Sequence, residues 1–215
     1  IAFGALTLII AKFGVSIKYH QVIEDFVNRD SLSDTTMLSK IIKWSLGIEI
    51  LGAIAYFIGF GNKGVFSSFA DRLYYSIFHS VSAFNSAGFS TFKNGFMNAN
   101  VVNNNFVLLT TTFLIFFGGF GMIYLFDMFS REKLRERMIY PWKTISFGTK
   151  ISLYFSILLL FGGAVLFYLI EKNNSLDGLP ILEQLNRSLF MSMTTRSGGL
   201  SVIPIAVLKI PMLIV

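Results

Sequence analysis

The sequence predicts an all-α integral membrane protein made of repeated units, each a helix, a re-entrant half-helix with a polar turn, and a second helix. Three observations support this. The 215 residues are 53% hydrophobic and only 14% charged, with a mean hydropathy of +0.64, outside the range of soluble domains. Residues 45–60, 106–126 and 151–170 are each apolar over most of the ~20 residues a helix needs to cross hydrocarbon. Between these spans a polar but uncharged stretch, Phe78-His-Ser-Val-Ser-Ala-Phe-Asn-Ser-Ala-Gly-Phe-Ser90, has a second copy further along the chain.

In chain order, residues 1–11 are expected to end the second helix of a preceding repeat, because Phe3-Gly-Ala-Leu-Thr-Leu8 matches Phe120-Gly-Met-Ile-Tyr-Leu125. Residues 12–43 form a connection, 44–130 a complete repeat, 131–150 a second connection, and 151–215 the next repeat, truncated in its second helix. The chain opens without methionine and stops inside a new apolar run, so a fragment is expected. No basic start, short apolar core and cleavage site mark a secretory signal. The absence of cysteine excludes a disulfide framework and thiolate metal sites.

The net charge is +6, and the placement of the basic residues matters more than their sum. Lys12, Lys18, Arg29, Lys40 and Lys43 precede the first span, and Arg131, Lys133, Arg135, Arg137, Lys143 and Lys150 lie between the second and third. Segments 61–105 and 171–205 are poorer in Lys and Arg for their length. The positive-inside rule makes the first two regions cytoplasmic and the latter two external. The run Arg131–Arg137 then sets topology against lipid headgroups rather than binding nucleic acid.

The twin stretches align with one residue skipped. Ser76 falls on Ser188, Phe78 on Phe190, Ser80 on Ser192, Ser82 on Thr194, Ser86 on Ser197, Gly88 on Gly199 and Ser90 on Ser201. Residues 72–84 and 185–195 are too short to span and are bounded by external segments, so each is expected to enter from outside and return. Irregular backbone at membrane depth requires a lining of protein or water, so the loops should face a pore or cavity. A half-helix entering from outside points its partly negative C-terminal end at the membrane centre, which favours a dehydrated cation. The turns Asn85-Ser86-Ala87-Gly88 and Arg196-Ser197-Gly198-Gly199 then offer peptide carbonyls to it, above all at Ser86, Ala87, Gly88, Ser197, Gly198 and Gly199. The hydroxyls of Ser82, Ser86, Thr194 and Ser197 are either further ligands or partners of their own backbone.

Both stretches resemble the second and third pore loops of the Trk/Ktr/HKT superfamily of potassium transporters, whose patterns are S-A-F-N-N-A-G-F and T-R-T-A-G-F. Phe117-Gly-Gly-Phe-Gly121 followed by Asp127 is similar to that family's glycine-rich second helix, and Glu49-Ile-Leu-Gly52 to its E-x-x-G. The resemblance implies four repeats around a pseudo-fourfold pore, of which this chain holds the end of the first, the second and most of the third. It implies potassium as the substrate, with no cofactor in this chain. It also implies a homodimer in the cell membrane and a cytoplasmic nucleotide-binding regulatory subunit docking on surfaces such as 12–43 and 127–150. Ser86, Ser197, Gly198 and Leu200 depart from the family patterns, but both filter glycines, Gly88 and Gly199, are present. In this family serine at a filter glycine accompanies sodium preference, so the visible loops favour potassium.

Gly118, Gly119 and Gly121 are expected to allow close helix approach, and the 24 Phe to serve packing and lipid contact. Glu49, inside a span, and Arg196, beside the filter, should each have a partner, and a Glu49–Arg196 contact is one possibility, with Glu171, Asp177 and Glu183 as rival partners for Arg196. His20 and His79 lack metal-ligand spacing, and no hydrolytic, hydride-transfer or phosphoryl-transfer constellation is present, which argues against an enzyme. The rival readings are a secondary transporter using re-entrant half-helices for another solute, a membrane scaffold with structural loops, and, least favoured, a soluble helical bundle.

Overall fold

The computed structural model describes residues 35–61, 66, 68–140, 142 and 144–213. The expected remnant at 1–11 and most of the connection 12–43, with His20, lie outside the described residues. The chain divides into two units, 1–47 and 48–215. Of the first unit the described residues cover only the opening half of the first helix; the packing, the turns and the site all belong to the second.

Among the described residues the chain is helical, without strands. Helix α1 runs Thr35–Phe60, α2 Phe69–Phe84, α3 Ala99–Val102, α4 Asn105–Phe120, α5 Met122–Phe129, α6 Arg131–Ile139, α7 Phe147–Glu171 and α8 Ile181–Met193. The starts are written in the sequence. Ser68, Asn104 and Ser146 each accept an amide of the first turn, from Asp71, Val107 and Thr149 respectively, satisfying donors that a helix start leaves orphaned. Pro180 precedes α8, where its fixed φ suits helix entry.

Ser39–Phe60 and Phe147–Glu171 are long and apolar enough to cross a membrane. Their side chains remain largely uncovered: Leu51 is 69% and Ile58 64% exposed on α1, and Tyr154 63% on α7. So much apolar surface is unusual for water-facing helices and suits lipid contact.

The span expected over 106–126 is not one helix. It breaks at Gly121, whose φ of +91° and ψ of 132° lie outside helical geometry, leaving the shorter α4 and the separate α5. Glycine reaches such a conformation without a Cβ clash, and Gly118, Gly119 and Gly121 together weaken the helix end. The segments 72–84 and 185–195 fall on helices α2 and α8, both of which begin earlier.

Two crossings of the same design hold α2 and α8. Ser80 on α2 donates to the Glu49 carbonyl on α1 at 2.6 Å, and Ser192 on α8 donates to the Leu160 carbonyl on α7 at 2.7 Å. Each crossing occurs opposite a glycine, Gly52 or Gly163, whose missing side chain makes room for the serine hydroxyl. The core between them is dense with rings and branched side chains, including Tyr56, Phe84, Phe96, Leu108, Ile115 and Phe190, each 2% exposed or less. Thr111 gives its proton to the Val107 carbonyl at 2.8 Å, so the buried Tyr56 hydroxyl donates to Thr111 at 2.6 Å and ties α1 to α4.

Asp127, near the end of α5, organises the turn into α7. Its carboxylate accepts the Ser146 amide at 2.9 Å and the Arg137 guanidinium at 3.2 Å. Burial raises its pKa, but the Ser146 amide, the Thr149 and Ser146 hydroxyls and Arg137 outweigh this and hold it below the usual aspartate value. A depressed carboxyl pKa contributes stability above the unfolded value, about 3.9, and loses it as pH falls through the folded value. Asp127→Asn is therefore expected to cost about 1–3 kcal/mol at neutral pH, and less below about pH 3.9. Thermal unfolding of the detergent-solubilised protein at both pH values checks this; a pH-independent cost would show that the charge has no part in it.

Candidate functional site

The polar turns that follow α2 and α8 are built alike. At the end of α2 the Asn85, Ser86 and Ala87 amides turn back to the Val81, Ala83 and Ser82 carbonyls. Ser86 then takes a φ of +51° and Gly88 one of +72°. The Ser82 hydroxyl donates to the Phe89 carbonyl at 2.7 Å and accepts the Phe89 amide at 3.1 Å. After α8 a single π-helical turn, Thr194–Gly198, leads to Gly199 at φ +64°, and the Gly199 amide reaches the Thr194 carbonyl. The Thr194 hydroxyl donates to the Leu200 carbonyl and accepts the Leu200 amide at 2.9 Å. Ser82 and Thr194 thus satisfy their own backbone, as helix-end hydroxyls commonly do.

The turns meet at their glycines. A Cβ placed on Gly88 would lie 3.1 Å from the Gly199 Cα, and one on Gly199 would lie 3.2 Å from the Gly88 Cα. Both positions need the left-handed region and the absence of a side chain. Around the contact, the carbonyls of Asn85, Ser86, Ala87 and Gly88 accept no hydrogen bond from another described residue. Asn85, Ala87 and Gly199 are exposed, Ser86 and Gly88 half-buried, and Gly198 buried. The Ser86 hydroxyl has no partner among the described residues.

The charged residues go separate ways. Asn85 donates to the Glu49 carboxylate at 2.9 Å, whereas Arg196 reaches the Ser156 carbonyl on α7 at 3.4 Å. The expected Glu49–Arg196 contact is therefore replaced by two others, one within each helix–loop unit. The rival acids are engaged elsewhere: Glu183 pairs with Arg187, the fully buried Glu171 accepts from Asn174 and the Ser175 and Lys209 amides, and Asp177 accepts the Gly178 amide.

Gly118 approaches the loop from behind, where an added Cβ would land on the Phe84 carbonyl. Gly119 is exposed and Gly121 marks the helix break, so the close approach is made at Gly118. Sequence reasoning passed over His79, which is 1% exposed and hydrogen-bonded to Ser90 beyond Gly88 at 2.9 Å. The only signal was its place on α2, six residues before Asn85.

Residues 5–215 match the TrkH family, described as a cation transport protein. The chain is 30% identical over 192 residues to the potassium/sodium uptake protein NtpJ of Enterococcus hirae, covering 88% of this chain and 40% of the relative. It is 28% identical over 200 residues to the Ktr system potassium uptake protein B of Bacillus subtilis, covering 92% and 42%. With the Vibrio alginolyticus protein of the same name it shares 29% over 182 residues, covering 83% and 37%. The chain thus spans roughly two fifths of the length of these relatives. With the family match running from Ala5 through both glycine turns to the last residue, the chain belongs to the TrkH family of cation transport proteins.

Proposed function

We propose that the chain is part of the pore-forming subunit of a potassium uptake system, with α2 and α8 as re-entrant half-helices and the turns after them as two sides of a cation filter. The observation that carries this reading is the meeting of Gly88 and Gly199 beside carbonyls that no other described residue occupies. Peptide oxygens that no other group occupies can replace the hydration shell of a dehydrated cation. The C-terminal ends of α2 and α8 lead into those turns, and their partial negative charge favours a cation over an anionic solute.

On this reading 44–130 is one complete helix–loop–helix repeat and 151–215 the next, with connections 12–43 and 131–150 on the cytoplasmic side. Ions bind at the Ser86, Ala87, Gly88, Ser197, Gly198 and Gly199 carbonyls. The whole subunit is a multi-pass protein of the cell membrane, a homodimer of pseudo-fourfold pores, and receives a nucleotide-binding regulatory partner on its basic internal face. Relatives named for potassium alone and for potassium with sodium both occur, and the two glycines favour potassium here.

The test is potassium-dependent growth and cation uptake in an uptake-deficient host carrying the full-length gene. Gly88→Ser and Gly199→Ser are each expected to lower the preference for potassium over sodium about tenfold at matched membrane abundance, equivalent to about 1.4 kcal/mol. If both variants transport as the parent does, the filter assignment fails.

A further inference from the structure

His79 is completely enclosed, yet its two ring nitrogens are both in use. The ring sits among Tyr56, Phe60, Tyr75, Phe78, Phe92 and Phe96, with centroids from 4.9 to 6.2 Å away. Nδ1 lies 2.7 Å from the Tyr75 carbonyl. A carbonyl only accepts, so Nδ1 carries the proton and Nε2 offers its lone pair. The Ser90 hydroxyl fills that place at 2.9 Å, and its oxygen accepts the Phe92 amide at 3.2 Å. A directed chain therefore runs from the Phe92 amide through Ser90 and His79 to the body of α2.

The chain fastens the strand that leaves the glycine. Ser82 grips Phe89 and His79 grips Ser90, so the two residues after Gly88 are both anchored to α2. The third-repeat counterpart has only the first grip, from Thr194 to Leu200. Its serine, Ser201, turns instead to the Ile203 carbonyl and amide, and the place of His79 is taken by Met191, which has no acceptor of this kind. Of the two loops among the described residues, only the one after α2 has the added bond.

We propose that His79 is a positioning residue for cation selectivity: through Ser90 it fixes the backbone at Gly88, and with it the carbonyls of Ser86, Ala87 and Gly88. This role rests on the reading of the two turns as a cation filter. A buried imidazole with defined hydrogen bonds is stiff, and holding a site's ligands in place by a supporting shell sharpens its choice between similar ions.

The experiment measures the ratio of potassium to sodium uptake by the full-length subunit in the uptake-deficient host, at matched membrane abundance. His79→Met, which installs the third-repeat residue, and Ser90→Ala are each expected to narrow the ratio about fivefold, the size of one net hydrogen bond. The double variant is expected to be no worse than either single, because both remove the same link. His79→Gln, which can present an amide oxygen near the place of Nε2, is expected to recover most of the ratio. A Ser90→Ala protein with the parental ratio overturns the proposal even if His79→Met fails to reach the membrane, and so does an additive double variant. Gly88→Ser and Gly199→Ser run alongside: if they shift the ratio while Ser90→Ala does not, only the positioning role falls, and if they too are silent, the filter reading falls with it.

Discussion

Gly118→Ala is expected to prevent the protein from reaching its folded state. The methyl group would lie on the Phe84 carbonyl oxygen and 2.8 Å from the carbonyl carbon, with the Phe84 Cα at 3.3 Å. All three atoms are backbone, so no rotamer change relieves the clash, and α2 has little freedom to withdraw. It is held to α1 by the Ser80–Glu49 bond and by Arg72, whose guanidinium donates to the Phe57 carbonyl at 2.9 Å and stacks 3.8 Å above the Phe57 ring. Phe84 itself is 2% exposed, and it immediately precedes Asn85, so any retreat displaces the loop as well. Overpacking of flexible side chains costs about 1–3 kcal/mol. A clash with fixed backbone lies at or beyond the upper end of that range. Gly162→Ala is the control, because nothing lies within 4 Å of its Cβ position on α7, and alanine there gains helix propensity of up to about 1 kcal/mol. Size-exclusion profiles and thermal unfolding of the detergent-extracted full-length subunit separate the two. Equal yields and midpoints for both variants would mean that α4 does not abut the end of α2.

What the sequence made legible is what its local rules govern. The twin turns were visible because a left-handed residue calls for glycine and because a helix-end hydroxyl seeks its own backbone. Both constraints are written within a dozen residues, and each recurs. The long apolar helices α1 and α7 were legible from length and hydropathy.

What stayed hidden depends on neighbours distant in sequence. The pairing of Glu49 with Asn85 rather than Arg196 is set by how α1 lies along α2, and two charges of opposite sign give no hint of that crossing. The break at Gly121 was hidden because hydropathy runs unbroken through Phe120, Met122 and Ile123, and apolarity carries no information about ψ. His79 read as an isolated histidine because its six aromatic neighbours come from α1, α2 and the segment after Gly88. Only the folded chain reveals that its acceptor nitrogen meets Ser90.

The matched crossings predict a difference between the α1–α2 and α7–α8 pairs. Gly163→Ala on α7 would press its methyl on the Ser192 hydroxyl, the next atoms being the Ser192 Cβ at 3.3 Å and Cα at 3.9 Å. Gly52→Ala on α1 would meet the Ser80 hydroxyl and, in addition, both Leu114 methyls at 2.7 and 2.8 Å. Each substitution alone is expected to destabilise by about 1–3 kcal/mol. Ser192→Ala removes the one atom that stands in the way at Gly163, giving up a bond worth about 1 kcal/mol. The Gly163→Ala/Ser192→Ala pair should therefore be more stable than the sum of its parts, by most of the clash. Ser80→Ala cannot do the same for Gly52→Ala, because Leu114, only 5% exposed in the core, keeps its methyls in the way. The coupling read from a double-mutant cycle should thus be large at the α7–α8 crossing and small at the α1–α2 crossing, as measured by thermal unfolding of the full-length protein. Equal couplings would show that Leu114 yields freely and that the α1–α2 crossing is looser than its α7–α8 counterpart. Additive behaviour in both would mean that the serines do not sit over the glycines at all.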